Sequence, residues 1–145
     1  MRLLLAAVPT TPAPLFENAA GQLLADPAGL LRLVWSSEPR QLADTQALFG
    51  AVGQALRQRG WGRMLANQTQ MPPLTPAEQQ WLSQEWLPGE GRRSGYRSIA
   101  IVVSHNVLGR LATAAVTTVQ PEGGPRYRSF DDEAAALAWL LRQPV

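Results

Sequence analysis

Short apolar runs separated by turn residues predict extended chain in the first part of the sequence. The runs are residues 15–17, 22–25 and 30–35. Between the last two lies the sequence DPAG (26–29), a β-turn signature, because proline fixes the bend and glycine supplies a positive φ. The pattern predicts an antiparallel hairpin at the start of a β-sheet.

The longest helical pattern spans residues 39–59. Leu42, Val52 and Leu56 recur at helical spacing on one predicted face, and Gly60 is a natural C-terminal stop. This pattern predicts an amphipathic helix whose apolar stripe packs on the sheet.

A capping box marks the start of a second helix. The Thr75 hydroxyl can accept a hydrogen bond from the Glu78 amide, and the Glu78 carboxylate can accept one from the Thr75 amide. Pro76 occupies the first helical position, where its missing N–H costs nothing. We predict that this helix ends at residues 87–89 (LPG).

A continuous β-rich apolar run, IAIVV at 99–103, predicts a strand that is buried on both faces. Ser104 is the predicted cap of a helix over residues 105–116. Four of its residues are predicted to face the core, namely Leu108, Leu111, Ala112 and Ala115.

A last strand at 126–130 and a last helix from 131 to about 142 complete an alternation of strands and helices. Such alternation predicts an α/β fold with a mixed, mostly parallel sheet and about four helices. We expect one domain over residues 14–145, preceded by an N-terminal arm or short strand at 1–13.

Composition narrows the possible chemistry. The 145 residues include 13 basic and 11 acidic side chains, a net charge of +2, which is too small an excess to indicate nucleic-acid binding. The absence of cysteine excludes disulfides and thiolate metal sites, and a single histidine excludes sites that need two imidazoles. No run reaches the roughly 20 apolar residues of a membrane span, so we expect a cytoplasmic protein without cofactor or metal.

Three segments of the chain carry a resemblance to a known family. They are residues 65–87 (LANQTQMPPLTPAEQQWLSQEWL), 99–112 (IAIVVSHNVLGRLA) and 130–140 (FDDEAAALAWL). Together with the opening strands they resemble the SpoIIAA-like group, small bacterial proteins also described as STAS/SEC14 domains. The resemblance implies a right-handed βα superhelix around a mixed sheet.

The same resemblance implies a binding or regulatory module rather than an enzyme. In the sporulation antagonists of the family, a serine within Asp-Ser-Ser-Gly is phosphorylated. This chain has Asn67-Gln68-Thr69-Gln70 there, with neither serine nor glycine. In nearer relatives the loop often carries an acidic residue and an arginine, where Asn67 and Thr69 stand here. The resemblance therefore extends to binding but not to that phosphorylation site.

Two strand ends predict a polar ligand site. If strands 63–66 and 99–103 are parallel neighbours, their carboxyl ends meet at one edge of the sheet, where α/β proteins bind ligands. The residues that follow these strands are Asn67, Gln68, Thr69, Ser104, His105 and Asn106. Amides, hydroxyls and one imidazole suit a polar or anionic group better than a metal.

A second candidate region is a partner surface at Trp81, Trp86, Arg92 and Arg93, because tryptophan and arginine are enriched at interface hot spots. The basic cluster, which extends to Arg97, also suits an anion or an acidic partner. An edge strand of the opening hairpin would suit a homodimer.

These observations favour a non-catalytic binding or regulatory module that acts through protein or small-ligand contacts. Two alternatives remain open. One is a SEC14-like carrier of an apolar ligand, which needs an enclosed apolar pocket. The other is a small enzyme that uses His105 as a base.

Overall fold

The computed structural model describes residues 11–118 and 123–145. Most of the predicted arm at 1–13 lies outside the described residues, although Ala13 begins the first strand. Part of the loop before the last strand, residues 119–122, lies outside them as well.

A single six-stranded sheet organises the described chain, and its strands lie side by side in sequence order. The first three strands are antiparallel, and the third to the sixth are parallel. The strands are β1 (Ala13–Glu17), β2 (Gly21–Asp26), β3 (Leu30–Trp35), β4 (Arg63–Asn67), β5 (Ser98–Val102) and β6 (Arg126–Phe130). The predicted α/β fold with a mixed sheet and an opening antiparallel hairpin is confirmed.

In the described part of the chain, four α-helices cover the two faces of the sheet. They are α1 (Leu42–Arg59), α2 (Pro76–Trp81), α3 (Val107–Thr117) and α4 (Glu133–Leu141), and a π-helix (Leu82–Gly91) continues α2. Right-handed crossovers place α1, α2 and α3 on one face, while α4 packs on the other against β4, β5 and β6. None of these helices is long and apolar enough to cross a membrane.

Alternation along the central strands divides the core into two layers. In β5, Ile99 and Ile101 pack toward α1 and the π-helix, whereas Ala100 and Val102 pack toward α4. Every residue of β5 is buried, as the pattern predicts for 99–102, whereas Val103 follows the strand and is half-buried. Because successive side chains of a strand point to opposite faces of the sheet, each helical layer packs on its own apolar surface.

The first helix follows its prediction except at its beginning. Its C-cap is Gly60, whose φ of 67° lies in the left-handed region that favours glycine. Val52 and Leu56 are buried, but Leu42 is 37% exposed. Leu42 is the first helical residue, and its exposure shows that its prediction as part of the buried stripe is wrong.

The second helix continues beyond its predicted end at 87–89. Instead of stopping at Pro88, the chain winds through it as a π-helix of ten residues. In an α-helix the proline ring would collide with the carbonyl four residues earlier. We attribute the wider winding to this proline, because a π turn displaces that carbonyl.

The third helix presents a different face to the core from the predicted one. Asn106, not Ser104, is the N-cap, and its Oδ1 accepts from the amides of Leu108 and Gly109. The buried residues are Gly109, Thr113 and Val116. Leu108 and Leu111 are 67% and 62% exposed and Ala115 is exposed as well, so the prediction that these three face the core is wrong, whereas Ala112 packs against the core.

A buried ion pair joins the segment before α1 to the start of α2. Both Glu78 oxygens accept from the Arg40 guanidinium, at 2.7 and 2.9 Å, and one also accepts from the Thr45 hydroxyl. Arg40 donates in addition to the carbonyls of Pro72 and Pro73. The pair therefore fixes the loop between β4 and α2 against α1.

Candidate functional site

The carboxyl ends of β4 and β5 meet as the sequence predicts. The two strands are parallel neighbours, with Asn67 opposite Val102. The amide of Gln68 donates to the carbonyl of Val102 at 2.9 Å, so the chain stays beside β5 after β4 ends. The two predicted groups of polar residues therefore share one edge of the sheet.

Local hydrogen bonds occupy most of the polar groups at the carboxyl end of β4. The Asn67 Oδ1 accepts from both the amide and the hydroxyl of Thr69, at 3.0 and 2.7 Å. Gln68 is buried, and its Oε1 accepts from the Thr113 hydroxyl of α3 at 2.9 Å. These side chains shape the turn and attach it to α3.

The groups that follow β5 are used in the same way. The Ser104 side chain is buried, and its Oγ accepts from the Asn106 amide at 3.0 Å. Asn106 caps α3, while the side chain of His105 is exposed. Ligand binding by this edge stays a prediction, and its polar atoms have structural partners.

An open cleft of about 490 Å³ lies beside this edge, between α3 and β6. Gln68 is the one residue of the predicted six that lines it. Arg110 also lines the cleft. Its Nε donates to the Ser104 carbonyl at 2.6 Å, and its guanidinium lies 3.8 Å from the Asp131 carboxylate. The positive charge here is thus already balanced.

The predicted partner surface separates into a core part and a surface part. Trp86 is 3% exposed, donates from Nε1 to the Phe49 carbonyl at 3.0 Å, and stacks edge-on against Phe49 and Tyr96. Its prediction as a partner-contacting residue is wrong, because its side chain is part of the core. Trp81 is half-buried against the same Phe49 ring. Arg92 and Arg93 are exposed.

A groove of about 540 Å³ lies at the opposite edge of the sheet, where β5 and β6 begin. Three arginines line it: Arg92 from the end of the π-helix segment, Arg97 before β5 and Arg126 at the start of β6. Arg126 is distant in sequence from the other two, and the parallel pairing of β5 with β6 brings it beside them. The sequence predicts the basic cluster that contains Arg92 and Arg97, but it does not predict that Arg126 joins them.

The described lining of this groove carries positive charge without a carboxylate side chain. None of the three arginines pairs with a described Asp or Glu, whereas the neighbouring Arg93 lies 3.5 Å from Glu90. One N–H of Arg97 donates to the main-chain oxygen of Val145 at 3.0 Å. Since arginine carries five donors, the groove keeps a surplus of charged N–H groups.

The rest of the groove wall is largely apolar. Leu87 and Pro88 line one side, and Pro125 and Pro144 line others. Burial, together with the neighbouring Tyr127, raises the pKa of Tyr96, which therefore contributes a neutral phenol ring. The groove thus combines three guanidinium groups with an apolar surface.

Among the described residues no group of three or more His, Cys, Asp or Glu is arranged to hold a metal ion. Comparisons of the chain with protein-family models, with curated proteins and with solved structures found no match.

Proposed function

We propose that this protein is a non-catalytic binding module of the STAS type, and that it binds a small organic anion in the groove formed by Arg92, Arg97 and Arg126. The observation that carries the proposal is the convergence of these three arginines on one groove whose described lining contains no Asp or Glu. The resemblance of the sequence to the SpoIIAA-like group supports a binding role, and the mixed sheet is compatible with it.

The size and composition of the groove favour an anion attached to an apolar body. Its volume of about 540 Å³ lies within the range of small-molecule sites. Guanidinium groups bind carboxylates and phosphates through paired, charge-assisted hydrogen bonds. Leu87, Pro88 and Pro125 offer apolar contact beside these donors. We therefore expect a carboxylate or phosphate monoester with an aromatic or aliphatic portion.

The carrier alternative receives less support from the cavities. The internal space between the sheet and the helices is lined by core residues such as Leu33, Phe49 and Ile101, and its volume is about 50 Å³. Small-molecule sites typically measure about 300–1,000 Å³. A lipid chain would require this core to open. The enzyme alternative depends on His105, which is exposed beside residues engaged in capping.

The test uses three probes that separate the charge from the apolar body: phenyl phosphate, inorganic phosphate and phenol. Binding to the full chain is followed by NMR chemical-shift changes and calorimetry at low salt. We expect phenyl phosphate to bind more tightly than inorganic phosphate, and phenol to bind weakest. Equal binding of phenol and phenyl phosphate would contradict an arginine-based site.

Variants locate the site. Arg92→Gln and Arg126→Gln should each weaken phenyl phosphate binding by roughly 10-fold or more, because one hydrogen bond to a charged group contributes about 1.5–3 kcal/mol. Arg93→Gln is the matched control, because it removes the same charge one residue away from the groove lining. An equal loss in Arg93→Gln would show a diffuse charge effect. Loss of binding in Asn67→Ala with His105→Ala would instead locate the site at the carboxyl edge.

A further inference from the structure

The outward face of α3 is apolar although it faces solvent. Val107, Leu108 and Leu111 are 68%, 67% and 62% exposed, and Ala115 is exposed as well. At 100° per residue these side chains lie on the side of the helix opposite the buried Gly109, Thr113 and Val116. Large apolar residues grouped on one exposed face are typical of an interaction surface.

Residue size changes systematically along this face. Its N-terminal half carries the bulky residues Val107, Leu108 and Leu111, and its C-terminal half carries the small residues Ala114, Ala115 and Thr118. A face that is large at one end and small at the other complements its own copy when the two run in opposite directions. Twofold pairing requires this self-complementarity.

We propose that α3 docks antiparallel against the α3 of a second copy of this chain, with the twofold axis passing beside Leu111. In this arrangement residue i faces residue 222 − i of the other copy. Val107 then packs on Ala115, Leu108 packs on Ala114, and the two Leu111 side chains meet. Val107 and Leu108 each face an alanine, the two Leu111 side chains share the centre, and the alanines permit close helix approach.

The charges around the face are compatible with this pairing. The charged residue of α3 is Arg110, which lies at the flank of the apolar face and is held back by the Ser104 carbonyl at 2.6 Å. Asp131 is 3.8 Å from its guanidinium. The contact therefore buries no unpaired charge, which would otherwise oppose association.

This face is a better dimer surface than the edge strand expected from sequence. The edge strand β1 contains Pro14 and an irregularity between Pro14 and Phe16, features that limit edge-to-edge pairing. An 11-residue helix is about 16 Å long. One face of it supplies less than half of the roughly 800 Å² per partner in a standard interface. We expect a weak dimer, with Kd on the order of 100 µM.

The sequence contains no cysteine, so any disulfide between two copies must form at an introduced cysteine and identifies the residues in contact. Sedimentation of the unaltered full chain should show a dimer that grows with concentration up to about 1 mM, and Leu111→Asp should remain monomeric. Under mild oxidation, Leu111→Cys should form a symmetric disulfide dimer at least about 10-fold faster than Leu141→Cys. Leu141 is a matched control, because it is exposed on α4, away from this face.

Mixing tests the antiparallel register. Val107→Cys and Ala115→Cys chains should crosslink when mixed, whereas each should crosslink poorly alone. The reason is that like positions would be separated by about 12 Å along the paired helices, beyond the reach of a disulfide. Self-crosslinking of Val107→Cys, or a monomer at 1 mM, would overturn the proposal.

Two further measurements distinguish specific docking from other ways of covering the face. Ala115→Trp enlarges the apolar surface but fills the position that receives Val107, so it should weaken the dimer. Stronger association of Ala115→Trp would indicate nonspecific apolar contact and overturn the proposal. A Leu111→Cys thiol that resists alkylation in dilute, monomeric protein would show that the chain covers this face itself, and would also overturn it.

Discussion

Replacing Arg40 by methionine should destabilise the protein by about 3–5 kcal/mol at pH 7. Arg40 and Glu78 are only 5% and 2% exposed at their side chains, and they share two hydrogen bonds of 2.7 and 2.9 Å. Removing the cation leaves a carboxylate in the interior with the Thr45 hydroxyl and the Thr75 amide as remaining donors. An uncompensated buried charge costs that order of free energy.

The pH dependence of this variant has a defined sign. In the unaltered protein, burial alone would raise the pKa of Glu78, but hydrogen bonds from Arg40, Thr45 and Thr75 outweigh it and lower the pKa below 4.5. That contribution to stability is present above pH 4.5 and is lost as the pH falls through the folded-state pKa. Without Arg40, burial should dominate and the folded carboxyl should bind its proton more tightly. The stability difference between the two proteins should therefore shrink as the pH falls from 7 toward 4.5.

Urea unfolding of a double-mutant cycle measures this interaction. Arg40→Met with Glu78→Gln should cost less than the sum of the two single changes, because the double variant contains no unpaired charge. Arg57→Met is the control, since the Arg57–Glu90 pair is far more exposed and should contribute below about 1 kcal/mol. Additive single changes, or a cost of Arg40→Met below about 1 kcal/mol, would refute the reasoning.

Two local predictions follow from helix ends. Thr75→Ala should lower the free energy of unfolding by about 1 kcal/mol, because the Glu78 amide loses its hydrogen-bond acceptor. Thr75→Ser keeps a hydroxyl and should retain most of that stability. The midpoint of urea unfolding measures both changes. Gly60→Ala should destabilise by roughly 1–2 kcal/mol at its φ of 67°. Gly50→Ala, at an exposed position of α1 where a Cβ meets no other atom, should stabilise by roughly 0.5–1 kcal/mol. Thermal unfolding that gives both alanine variants the same sign would contradict this assignment.

Features determined by neighbouring residues could be predicted from the sequence. The Thr75–Glu78 capping box and the Gly60 stop depend on residues within one or two helical turns, and both are present. Burial on both faces of β5 could be predicted because the run IAIVV contains no polar residue that would face solvent. The alternation of strands and helices then limited the topology to a mixed sheet.

Features formed by distant residues could not be predicted in this way. Arg40 and Glu78 are 38 positions apart, and no local pattern pairs one arginine with one of several carboxylates. The groove arginines meet only because β6 lies beside β5 and begins at the same edge. The passage of the second helix through Pro88 occurs in a π-helix, whose winding differs from the 3.6-residue period used to predict its end.

The misassigned face of α3 shows why periodicity alone does not identify the side that is buried. A helix with Leu108 and Leu111 on one side and Gly109 and Thr113 on the other predicts leucines inward, because leucine gains more from burial. In the structure the small residues face inward, since a Cβ at Gly109 would lie 2.9 Å from the Ser104 hydroxyl and Thr113 donates to buried Gln68. Close approach and one buried hydrogen bond thus orient the helix. The leucines are left on the surface, where apolar area stabilises the protein only when a partner covers it.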